Sequence, residues 1–136
     1  MTDAEQPLPT GTVTFLLTDI EGSTRAWQSA PDRMAELVST HYELLDAGIA
    51  ARGGRRPEEQ GEGDSVVAVF ADAAAAVSAA LETQLALREH VPSLAVRMGL
   101  HTGEALLRNQ DNYVGLTIIR ACLLYTSDAA DDDYTV

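Results

Sequence analysis

The sequence predicts an α+β fold of ferredoxin-like type, a sheet with helices packed on one face. Two observations carry this: strand-like runs interleave with helix-like runs, and 136 residues suit a single core. At 46% hydrophobic and 22% charged, the composition is that of a folded chain.

Residues 1–11, with two prolines and no periodicity, read as a flexible lead-in. Thr12 to Asp19 (TVTFLLTD) is rich in β-branched and apolar residues, and as a strand it places Val13, Phe15 and Leu17 on one side. Glu21-Gly22-Ser23-Thr24 then forms a turn with capping residues for a following helix. Pro31 and Asp32 open a helical stretch in which Met34, Leu37, Val38, His41, Leu45 and Ile49 mark one buried face, and Gly53-Gly54 stops it.

Residues 55–63 are turn-like, and Ser65 to Phe70 (SVVAVF) is a second strand. Asp72 is placed to cap a third helix with a stripe of Val77, Leu81 and Leu85, ending before Pro92. Leu94, Val96, Met98 and Leu100 alternate as in a half-buried strand. Asn109 to Asn112 is a turn, and Val114 to Ala121 begins another helix. The order is β, α, α, β(β), α, β and a partial α.

Charge narrows the function. The net charge is −12 and all nine basic residues are arginine. Lysine-dependent P-loop or Schiff-base chemistry is excluded, and direct nucleic-acid binding is disfavoured. No apolar run reaches bilayer length and no signal-like segment opens the chain, so no membrane partner is expected. With Cys122 as the single cysteine, the reading is cytoplasmic.

Asp19 and Asp64 each sit where a strand meets a turn. Carboxylates at neighbouring strand ends can share a divalent cation, and Mg²⁺ favours one or two carboxylates plus substrate phosphates. The glycine and hydroxyls after Asp19 precede a helix start, whose free N–H groups suit phosphate. Metal-assisted chemistry on a nucleoside triphosphate follows as a candidate, although an aspartate in such a place is more often a turn or cap residue.

FLLTDIEGST, GEGDSVVAVF, RMGLHTGE and NYVG, in that order, resemble the successive signatures of class III adenylyl and guanylyl cyclase catalytic domains. The resemblance covers most of residues 12–116 and implies an incomplete nucleotide cyclase fold, with the catalytic domain over 12–121. It implies that Asp19, Asp64 and the Ile20 backbone carbonyl hold two Mg²⁺ or Mn²⁺ ions, and that Glu21, Gly22, Ser23 and Thr24 bind the triphosphate. It further implies conversion of ATP, or GTP, to a 3′,5′-cyclic nucleotide and pyrophosphate. The expected assembly is a head-to-tail homodimer with its sites across the interface.

The chain departs from the family at several positions. Gln60 stands where the family has a base-reading lysine, and Asn112 where it has Asp or Thr. This pair resembles a bacterial subgroup joined to LuxR-type regulators. Either amide can donate or accept, so discrimination of the purine should be loose. Ile119 and Leu123 occupy the family's transition-state Asn and Arg positions and can donate no hydrogen bond. His41, His90 and His101 read as structural, and the acids from Asp128 to Asp133 as a solvated run.

From Cys122 the string CLLYTSDAADDDYTV resembles a translated transposase sequencing adapter. Residues 122–136 are therefore expected to be non-native, the domain truncated and the fragment inactive alone. The competing readings are a non-catalytic nucleotide-sensing or dimerisation module of a transcriptional regulator, and a diguanylate-cyclase-type domain, whose GG[DE]EF string is absent.

Overall fold

The computed structural model describes residues 8–57, 64–109 and 112–114. The expected strand around Phe15 forms as β1 (Gly11–Ile20), followed by α1 (Ser23–Ser29) and α2 (Pro31–Ala51). Next come β2 (Val66–Phe70), α3 (Ala73–His90) and β3 (Val96–Ala105). A small hairpin, β4 (Leu107–Asn109) and β5 (Asn112–Tyr113), flanks the predicted turn.

β1 is the centre of a three-stranded antiparallel sheet of order β2-β1-β3. A single antiparallel bridge from Arg55 to Val69 adds the chain before β2 at that strand's outer edge. The arrangement is ferredoxin-like.

Alternation along β1 sorts its side chains into two cores. Val13, Phe15 and Leu17 pack with Leu8, Val67, Val69, Ala105 and Tyr113, where the Phe15 and Tyr113 rings meet edge to face at 5.1 Å. Leu16 faces the helices, packing with Leu45, Ile49, Ala68, Phe70, Ala76 and Ala79. Ile20 joins Met34, Val38 and Leu87. Burying one such Phe or Leu contributes about 1.5–3 kcal/mol.

The helices begin and end as their residues dictate. Pro31 occupies the first turn of α2, and Gly53, at φ 75°, takes the left-handed turn after it. The Asp72 carboxylate accepts from the Ala75 N–H at 3.0 Å, capping α3.

Two expectations are corrected. Val77, Leu81 and Leu85 are 53%, 60% and 56% exposed, and α3 instead buries Ala76, Ala79, Thr83 and Leu87. The reason is close helix packing: a Cβ on Gly48 of α2 would collide with Thr83 Oγ1, so only small side chains fit at that point of contact. Leu94 lies outside β3, and Leu100 is exposed because β3 is the outer strand among the described residues.

Candidate active site

The candidate site lies where β1 ends. Asp19 pairs across the ladder with Arg97 of β3, so both side chains leave the same face of the sheet. The guanidinium grips the carboxylate with two hydrogen bonds, Nε to Oδ1 at 2.8 Å and Nη2 to Oδ2 at 2.6 Å. Both side chains are mostly buried, at 16% exposed for Asp19 and 20% for Arg97.

The turn after β1 is fixed by two features. The Glu21 N–H donates to the Ala95 carbonyl at 2.8 Å, tying the turn to the approach to β3. Gly22 then adopts φ 68°, a left-handed conformation that favours glycine, and starts α1. Asp64 arrives at the same end of the sheet, two residues before Val66, which pairs with Thr18 of β1.

These segments enclose an open cleft of about 750 Å³ lined by Asp19, Ile20, Gly22, Ser23, Thr24, Arg25, Gln28, Asp64 and Arg97. Both expected metal aspartates, Ile20 and three of the four expected phosphate-loop residues therefore line one cavity. Glu21 is exposed and outside that lining, with its backbone N–H already committed to Ala95.

Other site residues fall elsewhere. Asn112 is buried in β5, where its Nδ2 donates to Asn109 Oδ1 at 3.3 Å, and it does not line the cleft. Gln60, Ile119 and Leu123 lie outside the described residues. His101 and His90 are exposed. His41 is fully buried, packs on the Tyr42 ring at 4.9 Å, and has no hydrogen-bond partner for either ring nitrogen among the described residues. Burial pushes its pKa below the ordinary 6.5, against smaller opposing effects from the Val38 backbone and Asp64.

Arg97, Arg25 and Gln28 were not among the residues expected from sequence. Strand alternation does set Arg97 out of phase with Val96 and Met98. Only the β1–β3 register shows that this phase puts it beside Asp19.

The donor set fits a hard divalent cation. Asp19, Asp64 and the Ile20 carbonyl offer oxygen alone, and the cleft leaves room for water and phosphate oxygens to complete a Mg²⁺ or Mn²⁺ shell. No group of three or more His, Cys, Asp or Glu side chains that could hold a metal ion occurs among the described residues. Any metal at Asp19 must share the carboxylate with Arg97 or displace it.

A ferredoxin-like sheet with two carboxylates beside a glycine turn at one strand end is an arrangement suited to phosphate chemistry. Residues 5–122 match the adenylate and guanylate cyclase catalytic domain, and the chain belongs to that family. It is 42% identical over 122 residues to the uncharacterized protein Rv0891c of Mycobacterium tuberculosis. That match covers 90% of this chain but 41% of the relative, so the chain spans about two-fifths of the relative's length.

Among solved structures, it is similar to one from an analysis of adenylate cyclases of Trypanosoma brucei in their monomeric state. The TM-score is 0.68 at 26% identity, over 82% of this chain and 66% of that one. A bacterial light-regulated adenylyl cyclase shares the fold, with TM-score 0.73 at 20% identity over 89% of this chain and 72% of that one. No described helix is long and apolar enough to cross a membrane.

Proposed function

We propose that this chain is the metal- and triphosphate-binding part of a nucleotide cyclase that forms a 3′,5′-cyclic nucleotide and pyrophosphate from ATP, with GTP as the competing substrate. The observation that carries the reading is the convergence of Asp19, Asp64 and the Gly22–Thr24 turn on one cleft. Asp19, Asp64 and the Ile20 carbonyl hold the metal ions. When bound, Mg²⁺ or Mn²⁺ makes the ribose 3′-hydroxyl more acidic and neutralises charge on the phosphates.

The chain's own residues position the substrate. The Gly22 turn leaves room for a phosphate beside the backbone, and the Ser23 and Thr24 hydroxyls can donate to its oxygens. Arg97 keeps Asp19 oriented, and can turn its donors to phosphate when a metal takes the carboxylate. Gln60 and Asn112 read the purine of a nucleotide bound by a second copy. Asn112 lying outside its own cleft supports this division of labour, and a head-to-tail homodimer follows.

Hydrogen-bond donors for the transition state are missing at Ile119 and Leu123, so this chain alone binds nucleotide without efficient turnover. Ile119 also favours a second reading, a non-catalytic nucleotide-sensing or dimerisation module of a LuxR-type regulator. Calorimetric titration of ATP in the presence of Mn²⁺, with a parallel assay for cyclic AMP, tests the site. Asp19→Ala should weaken metal-dependent ATP binding at least about tenfold. Binding that ignores this substitution defeats the assignment, and nucleotide binding without product from the longer protein favours the second reading.

A further inference from the structure

We infer that Arg25 binds the terminal phosphates of the nucleotide and so acts as a second anion-holding arginine of the cleft. This rests on the cyclase reading for the substrate, but its observations are separate. Arg25 lines the cleft from α1, on the same wall as Gly22, Ser23 and Thr24. It is exposed and makes no ion pair among the described residues. Arg97, by contrast, is committed to Asp19 through both hydrogen bonds of its fork.

In a chain of net charge −12, an arginine facing a cavity with two carboxylates and left unpaired by either has a charge available for a ligand. The charges lining the cleft agree: the Arg25 and Arg97 guanidiniums offset the Asp19 and Asp64 carboxylates, so the cleft does not repel an anion as the net charge of the chain would.

Local architecture allows the contact to form. α1 contains no buried residue and is anchored chiefly through half-buried Ala26, which packs against the Ile20–Met34–Val38 core. The helix can settle onto a phosphate without disrupting the core. A guanidinium presents several donors in a planar fork, which suits non-bridging phosphate oxygens better than a lysine does.

The test uses inorganic tripolyphosphate with Mg²⁺, titrated calorimetrically into the full 136-residue chain. Arg25→Ala should weaken binding at least about tenfold, and Arg25→Lys should recover part of it. Arg33→Ala, the same charge change on exposed α2 surface outside the cleft, should bind as the wild type does. Circular dichroism and thermal midpoints confirm that each variant is folded.

Equal tripolyphosphate affinity in Arg25→Ala and wild type overturns the inference, as does a wild type that binds none. The two readings separate cleanly. Arg25-dependent tripolyphosphate binding with Asp19-independent ATP binding sinks the cyclase assignment and leaves Arg25 standing. Asp19-dependent ATP binding with tripolyphosphate affinity unchanged in Arg25→Ala sinks the Arg25 inference alone.

Discussion

Asp19 is the residue on which the site turns, and its partner Arg97 gives it two possible states. Held by the guanidinium, the carboxylate is oriented and partly desolvated. In the proposed site an incoming divalent ion would compete with that fork for the same two oxygens. The arginine thereby keeps a mostly buried carboxylate compensated, and removing one partner of a buried pair costs about 3–5 kcal/mol.

His41 offers an independent observation at the same scale. Its folded pKa lies below the unfolded value of 6.5, so the unfolded chain binds the proton more readily. The neutral imidazole therefore contributes stability above pH 6.5, and that contribution is lost as pH falls through the folded pKa. Denaturant melts at a series of pH values should show falling stability below this point, and His41→Leu should remove that part of the slope. An unchanged slope in the variant assigns the acid sensitivity to other groups.

Among the elements, α3 teaches most about how sequence becomes packing. Two stripes on it share helical spacing, one of large residues (Val77, Leu81, Leu85) and one mostly of small ones (Ala76, Ala79, Thr83). Hydrophobicity favours burying the first. The close approach of Gly48 to Thr83 admits only the small side chains of the second at that contact.

A pair of substitutions measures that choice. Leu87→Ala, at 1% exposure, should cost about 2–5 kcal/mol in chemical denaturation, whereas Leu81→Gln, at 60%, should change stability by less than about 0.5 kcal/mol. Equal losses would show that the Leu81 face is covered.

In the molecule as a whole, β1 is the organising element. Its two faces build the two cores and its end delivers Asp19, so fold stability and site geometry depend on one strand. The family match runs over residues 5–122, alongside the proposal that residues 122–136 derive from a sequencing adapter. Resequencing the locus across the Ala121–Cys122 junction should show a different continuation, and the same tail recovered from independent DNA refutes the proposal. The proposed homodimer is checked by sedimentation velocity, in which a concentration-independent monomer counts against it.

The sequence by itself determined the elements whose signals are local. The β-branched and apolar content of TVTFLLTD, the α2 stripe, the Asp72 cap and the Gly53-Gly54 stop each act within a few residues, and the elements they mark appear in the structure. Spaced motifs likewise marked Asp19, Asp64 and the turn between Gly22 and Thr24. Tertiary structure alone decided which stripe of α3 is buried, that Arg97 grips Asp19, and that Arg25 joins the cleft wall. Those outcomes depend on strand register and helix spacing, which arise from contacts between residues far apart in the chain. Local periodicity carries no record of such distances.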